Sequence, residues 1–429
     1  MQLAEETSKA LPAHRVLDLQ SCIRLAMVHS LEAKSAEIQQ RLSRLDKRIA
    51  FSYFLPAVSL NARKTYWDPQ PQVKFGGVNA FAMHDKKVRD VSFDVQMPVF
   101  HPAAWFLYDM KKRGYEMAEF AHEHTRQAIA FQVTSQFYQC LSLNQMHAVV
   151  IRQIEAAQVL YAELSAQAQE GFIHDWQAQQ GKVSVLTKQT ELHRVERSMR
   201  QAQADLMVLM GLHPMASIQL ERPDPLDAPV QGLDELIAEA LLRHPSLAIS
   251  DRKVAAEKAK IRAAVANFLP NLTGFIQWQN TSDSMQLLSD YWLGGLSAAL
   301  TVFNGFKNVN QYKMAKALHE DAALQREQAS LTLMIQVHRA YDQMHTAREE
   351  TALARDLQAV AQARMAQVQE QHAQGLVMTS ALIQQRAQVA EAQLQLLQAD
   401  FYTQTSIALL FNVMGKTQTH FEESTHGTI

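Results

Sequence analysis

Turn-forming residues are scarce. The chain has 14 glycines and 12 prolines in 429 residues, about half of the roughly 12% that the two supply in an average protein. No glycine stands between Gly114 and Gly171, no proline between Pro102 and Pro214, and none follows Pro270. A fold that reverses every ten to fifteen residues or so needs more turn chemistry than this, which argues against an ordinary α/β enzyme and demands long elements. Cysteine is nearly absent. Cys22 and Cys140 have neither CxxC spacing nor a histidine pattern, so a disulfide scaffold and a zinc site are not expected, and both read as small buried hydrophobes. Neither sign of charge dominates: 41 Lys and Arg stand against 43 Asp and Glu, a formal net charge of −2, which gives no reason to expect a nucleic-acid partner.

Long apolar runs and catalytic motifs are missing as well. No stretch of about 18 apolar residues occurs, so no transmembrane helix is expected. Met1 to Leu11 is polar and lacks the apolar segment of a secretory signal; a cytoplasmic chain and a chain whose signal has been removed both fit. There is no GxxxxGK[ST], GxSxG or HExxH, and neither catalytic residues nor a cofactor nor a bound metal is expected. His122-Glu123-His124 puts its imidazoles two positions apart, on different sides of a helix, and reads as a surface cluster. The 18 methionines fall mostly at core-like helix positions, where a flexible thioether fills gaps.

What is present is a duplication. Phe54-Leu55-Pro56 recurs as Phe268-Leu269-Pro270, and the match extends upstream without a gap, setting Leu19, Ile23 and Ala26 against Leu233, Ile237 and Ala240. Val99-Phe100 pairs with Val302-Phe303, Tyr138 with Tyr341, Gly171 with Gly375, and Met210-Gly211 with Met414-Gly415. The shorter offset of these later anchors means that the first half carries extra residues between the Phe-Leu-Pro and the Val-Phe.

Each half reads as a helix, a hairpin of two strands, then two very long helices joined at a glycine. The first helix, about 19–52, ends where Pro56 forbids continuation. Beyond it the period becomes two: Val58, Leu60 and Ala62 alternate with Ser59, Asn61 and Arg63, and Val91, Phe93, Val95 and Met97 with Ser92, Asp94 and Gln96. In the second half Leu272, Ile276 and Trp278 oppose Thr273, Gln277 and Gln279, and Leu296, Ala298, Leu300 and Val302 oppose Ser297 and Thr301. Residues 103–170 as one helix would be ~100 Å long. In the second half, Leu333, Val337, Ala340, Met344 and Ala347, returning through Ile383, Ala387, Ala390, Leu394, Leu397 and Phe401, follow the spacing of a left-handed coiled coil.

A strand with one apolar and one polar face suits a barrel wall between lipid and a wet lumen, and equally suits a soluble sheet packed on helices. The very long helices have no use for so small a sheet as a core, which favours the barrel. Four strands cannot close one, and an open edge in lipid leaves backbone groups unpaired. Three copies would supply twelve strands, within the range of known barrels.

With these features the chain resembles the TolC-like outer-membrane factor (outer membrane efflux protein) family over about residues 17–415. The resemblance rests on the duplication, the two Phe-Leu-Pro junctions, the turn Val302-Phe303-Asn304-Gly305, and the glycines of Gln169-Glu170-Gly171-Phe172 and Ala373-Gln374-Gly375-Leu376. It implies a mainly α fold with a transmembrane β portion: a trimeric 12-stranded β-barrel continued by a periplasmic α-helical coiled-coil barrel. The implied layout is an N-terminal tail, 1–16; a first repeat, 17–214, with a β-hairpin about 57–98 and a helical hairpin about 103–211; a Pro-rich equatorial linker, 215–232; a second repeat, 233–415, with a β-hairpin about 271–303 and a helical hairpin about 308–414; and a C-terminal tail, 416–429. The implied function is the exit duct of a tripartite efflux pump or type I secretion system in the outer membrane. Its partners would be two further copies in a homotrimer, outer-membrane lipid, a periplasmic adaptor and an inner-membrane pump of RND or ABC type. A soluble coiled-coil scaffold is the alternative.

In that family the loops joining the long helices close the tunnel and dock the adaptor. The corresponding tip residues are Gly171 and Phe172 in the first half and Gly375, Leu376 and Thr379 in the second. Where relatives often carry an acidic residue six positions after the glycine, this chain has Gln177 and Ala381, leaving Asp175 and Gln177 as candidates for a tip constriction. Lys111-Lys112-Arg113 reads as a solvated face or a meeting point for lipid headgroups. Tyr66, Trp67, Trp278, Tyr291 and Trp292 stand near predicted strand ends, as interfacial aromatics do.

Overall fold

The structure, a computed structural model, describes residues 16–75, 78–216 and 218–417. In chain order the first half comprises β1 (Val16–Leu17), α1 (Leu19–His29), α2 (Leu31–Ser52), β2 (Ala57–Tyr66), β3 (Gln72–Phe75), β4 (Val78–Ala82), β5 (Lys87–Phe100), α3 (Pro102–Gln169) and α4 (Asp175–Leu209). The second comprises β6 (Gln219–Leu220), α5 (Leu233–Arg243), α6 (Pro245–Ala266), β7 (Asn271–Thr281), β8 (Asp290–Ala299), α7 (Lys307–Ala373) and α8 (Thr379–Val413). The tails expected at 1–16 and 416–429 lie almost wholly outside the described residues.

Three features depart from the sequence reading. The expected helix over 19–52 is two helices: Ser30 turns extended, and its hydroxyl accepts the Ala33 N–H at 3.1 Å to start α2 afresh. In the second half His244 and Pro245 interrupt the helix at the matching place, because proline excludes a continuing helix at the residue before it. The extra residues of the first half include a small antiparallel hairpin, β3–β4, set between β2 and β5. Finally, β8 ends at Ala299, so Leu300 and Val302 belong to the connection and not to a strand.

The chain divides into two compact units, one of Met1–Ile38, Phe120–Ala248 and Ala329–Ile429, the other of Gln39–Glu119 and Ile249–Gln328. The first, the hairpin unit, holds two matching cores. In one, Leu19, Cys22, Ile23 and Ala26 of α1 pack with Ile129, Val133, Phe137 and Cys140 of α3 and Leu206 and Met207 of α4. In the other, Leu236 and Ala240 of α5 pack with Leu333, Val337, Ala340 and Met344 of α7 and Ile407 and Leu410 of α8. Cys22 and Cys140 are free thiols, pushed up to about 12 by burial, and so are inert packing groups. A two-residue parallel pairing of β1 with β6 adds Leu17 to the first core.

The outgoing stripe of the second hairpin, Leu333 to Ala347, is buried as the period requires. The returning stripe is the expected one only at its start, where Ile383 is buried. Gln385, Ala392, Ala399 and Ser406, seven apart, are buried, whereas Ala387 is exposed and Ala390, Leu394, Leu397 and Phe401 are only half-buried. A column of small and polar groups lets the helices approach closely. Gln385 donates to the Ala361 carbonyl at 3.2 Å and Thr403 to the Ala347 carbonyl at 2.9 Å, satisfying polar groups that an all-apolar seam would not carry.

The second, the sheet unit, has one four-stranded antiparallel sheet in the order β2-β5-β7-β8. The helical segments beside it are bridged in the parallel order α2-α3-α6-α7. Lys111 meets Asp46 at 2.7 Å, Arg252 meets Glu116 at 2.7 Å, and Arg326 meets Asp251 at 2.9 Å. Among the described residues the outer edges of β2 and β8 pair with no strand.

Candidate functional site

Sheet register decides where each strand's apolar set points, because directly opposed residues share a face. Leu60 opposes Phe93, Phe93 opposes Trp278, and Trp278 opposes Trp292. Val58, Val95, Ile276 and Gly294 form the next row, so the main apolar set of each of the four strands falls on one face. Ser59, Asn61, Ser92, Asp94, Gln277 and Gln279 fall on the other, where Asn61 and Ser92 both donate to Asp94 at 2.8 Å and Thr281 donates to Asp90 at 2.7 Å. Leu293, opposite Gln277, and Val88, opposite Thr65, are exceptions on the polar face, as is Phe275. Phe275 lies over Gly295, where a Cβ would stand 3.2 Å from its ring, so the glycine makes the room that the phenyl fills.

At the loop end of the sheet the two repeats are cross-linked by polar contacts. The Asp283 carboxylate, wholly shielded, pairs with His84 Nδ1 at 2.6 Å and accepts the Asp85 N–H at 3.0 Å. Asp85 in turn accepts from the Ser284 N–H and hydroxyl. Burial disfavours the charged Asp283, but the hydrogen bonds from His84, Asp85 and Met285 outweigh it and hold its pKa below the usual carboxylate value. Trp67 stacks on His84 at 5.7 Å, Lys86 lies 5.5 Å over Tyr66, Trp278 donates to Asp290, and Tyr291 donates to Gln279. All five aromatics singled out in the sequence thus gather at this end of the sheet.

The opposite end has its own aromatic set, which the sequence reading missed. Phe51 and Phe54 meet Tyr108 at 6.0 and 6.2 Å, Phe100 meets Trp105, and Phe303 meets Phe306. The signal was available in the Phe-Leu-Pro and Val-Phe motifs, which supply three of these rings, Phe54, Phe100 and Phe303. Lys111 and Arg113 are engaged in ion pairs, Lys111 with Asp46 and Arg113 with Asp109 and Glu116.

In the hairpin unit each long helix pair reverses through one repeated device. Gly171 has φ +80°, with Phe172 N–H bonded to the Gln167 carbonyl and Gly171 N–H to that of Ala168. Gly375, at φ +72°, repeats both bonds through Leu376 to Gln371 and Gly375 to His372. This is the Schellman closure, which satisfies two orphan carbonyls of the ending helix. A Cβ at either glycine would meet nothing within 4 Å, so the positive φ alone selects glycine. Phe172 and Leu376 are 76% and 70% exposed, and Trp176 and Met378, which the sequence reading passed over, stand exposed beside them. Thr379 opens α8 and lies 3.2 Å from His372 Nε2. Asp175 opens α4 as an exposed carboxylate, suited to the positive end of a helix. Gln177 is occupied locally: its side-chain oxygen accepts the His174 N–H at 3.1 Å.

The histidine cluster is divided. His124 meets His244 edge-on at 5.5 Å, and burial together with His124 pushes His244 down to about 4, so it stays neutral at ordinary pH. Among the described residues no group of three or more His, Cys, Asp or Glu converges as a metal site, and no helix is long and apolar enough to cross a membrane. That last observation says nothing about strands.

Residues 22–212 and 236–416 match the family described as outer membrane efflux protein. The fold is similar to that of the CmeC outer membrane channel of Campylobacter jejuni, with a TM-score of 0.80 at 14% identity, covering 95% of this chain and 89% of that one. It is also similar to the outer membrane protein VceC of Vibrio cholerae, with 0.76 at 15% identity over 92% and 96%. The open-state MtrE outer membrane channel of Neisseria gonorrhoeae gives 0.75 at 15% over 92% and 88%. No curated protein matches in sequence.

Proposed function

The chain belongs to the outer membrane efflux protein family, and from that premise we propose that it forms a homotrimeric exit duct, docked in the periplasm by an adaptor that joins it to an inner-membrane pump. The observation that carries the trimer is the sheet: four strands, both outer edges unpaired among the described residues, one face apolar and one polar. Such a sheet is stable in lipid only when closed, and three copies give a barrel with lipid outside and water within. Apolar residues on the outermost helix α2 support the same assembly. Ile38, Leu42, Leu45 and Ile49 run along it at heptad spacing and are exposed in the single chain, an unpartnered coiled-coil seam.

The tips supply the docking surface in this reading. Gly171 and Gly375 set the reversals, Phe172 and Leu376 present apolar contacts to the adaptor, and Thr379 borders them. Asp175 is the charged group at the entrance, with Gln177 fixing the turn that carries it. Opening is a shift of the helical pairs between packings, driven by the pump. An RND pump and an ABC pump of a type I secretion system are both compatible with these tips.

Light scattering of the detergent-extracted protein, corrected for bound detergent, tests the reading. A mass of about three times 48.4 kDa in the outer-membrane fraction is expected. A soluble monomer absent from membranes would overturn it and favour the scaffold alternative.

A further inference from the structure

The apolar face of the sheet continues into the helices beneath it. Phe100 pairs with Leu272 in the apolar row, and Trp105, half-exposed on α3, meets Phe100 edge-on at 5.5 Å. The other face of the helices carries a groove lined by Ala103 and Leu107 of α3, Lys260 and Ala264 of α6, and Gln311 and Ala315 of α7. Two residues turn an α-helix by about 200°. Trp105 stands two residues from both Ala103 and Leu107, Arg262 two from both Lys260 and Ala264, and Lys313 two from both Gln311 and Ala315. All three therefore lie on the side away from the groove, which Trp105 identifies as the side of the apolar strand face. Lys258, one turn from Arg262, and Lys112, two turns beyond Trp105, join them there.

This band is basic. Lys112, Lys258, Arg262 and Lys313 are exposed and lie within about three turns of the helix ends nearest the sheet. None of them makes an ion pair among the described residues, and the acids around them are taken: Asp46 by Lys111, Asp109 and Glu116 by Arg113, Glu257 by Lys260, and Glu320 by Lys316. On α3 the next acid in this column, Glu119, lies two turns further from the sheet. The order leading away from the strands is thus apolar side chains, an indole, then uncompensated cations. It is the order of a bilayer's edge, where hydrocarbon gives way to aromatic anchors and then to phosphate.

We infer that these four side chains bind the phosphates of phospholipid headgroups in the leaflet nearest the helices, with a preference for an anionic lipid such as phosphatidylglycerol. Such a headgroup has no ammonium of its own to neutralise its phosphate, so it complements cations that have no acid beside them. Long stems let the charges reach up toward Trp105 while their backbones stay in water. The inference rests on the outer-membrane reading and adds to it a lipid class and the residues that select it. A trimer would carry a ring of these cations, fixing the depth at which the barrel sits.

Electron spin resonance of spin-labelled phosphatidylglycerol and phosphatidylcholine, each in phosphatidylcholine vesicles containing the full chain, tests the surface. Lipid held against the protein gives a motionally restricted signal, from which relative affinity is read. Phosphatidylglycerol is expected to be favoured about fivefold, the worth of one basic side chain at an anionic surface. Salt at about 1 M, where charges are screened beyond about 3 Å, should remove most of that preference. The quadruple variant Lys112→Gln, Lys258→Gln, Arg262→Gln, Lys313→Gln should bring the two lipids near parity with its Tm kept, since all four side chains are exposed. Lys86→Gln with Lys87→Gln, at the loop end of the sheet, should leave the preference in place. Equal association of the two lipids with the wild type, or a preference that the quadruple variant retains, would overturn the proposal and leave the band to water or to an acidic protein surface. A wild type that restricts neither lipid would overturn the membrane reading itself.

Discussion

Gly211 stands against the carbonyl of His29: a Cβ at this glycine would lie 2.3 Å from that oxygen. The second repeat has the same relationship, Gly415 lying where a Cβ would come 3.3 Å from the His244 Cα. In each half, therefore, the end of the returning long helix is seated in the break between the two short ones. This explains why a helix that the sequence pattern leaves continuous is interrupted in the structure.

Gly211→Ala should therefore be far more damaging than Gly171→Ala. Both adopt positive φ, a strain of about 1–2 kcal/mol for alanine, but only Gly211 adds a clash with backbone, raising the cost to about 3 kcal/mol or more. Thermal unfolding of the two variants side by side checks the order; equal losses would refute the close approach.

His244 predicts a pH dependence. Its pKa lies below the ordinary value of 6.5 in the folded state, at about 4. As pH falls below 6.5 the unfolded chain takes a proton that the folded chain refuses, and stability declines until about pH 4. The total is about 3 kcal/mol. His244→Gln should flatten that part of the curve relative to the wild type, measured by denaturant unfolding at a series of pH values.

Adjacent residues on β2 should respond oppositely to charge. Leu60→Arg puts a guanidinium on the apolar face, at about 2–4 kcal/mol near mid-membrane, whereas Asn61→Arg faces the wet side and should be tolerated. The yield of assembled protein in outer-membrane extracts distinguishes them. A reversed order would mean that the lipid and lumen faces are exchanged.

At the tips, Phe172→Ser and Leu376→Ser should leave unfolding within about 0.5 kcal/mol of the wild type, because both side chains are exposed. Affinity for the adaptor should fall about tenfold for each. Calorimetric titration of the purified adaptor measures this, and unchanged affinity in both would remove the tips from the docking surface.

The duplication, the long helices and the reversals at Gly171 and Gly375 were legible because each leaves a local mark: a repeated motif, an absence of proline, a glycine where φ must be positive. The returning side of the α7–α8 seam was legible only at Ile383. Ala387, Ala390, Leu394, Leu397 and Phe401 fit the period as well as Gln385, Ala392, Ala399 and Ser406 do, and hydropathy favoured the wrong column. Which face turns inward is set by close packing and by bonds such as Thr403 to Ala347, which no periodicity records. Trp176 and Met378 were overlooked for a related reason, since an apolar residue just after a turn resembles the first core position of the helix it begins.

The sequence by itself determined the element types, their order and the two-faced character of the strands, because those follow from backbone chemistry and from spacings of two and about 3.6 residues. Only the tertiary structure decided that the four strands join as β2-β5-β7-β8 with their apolar sets mainly on one side, and that α1–α2 and α5–α6 break where glycines press against them. These are relations between residues far apart in the chain, set by register and close approach, and a linear pattern carries no distance between them.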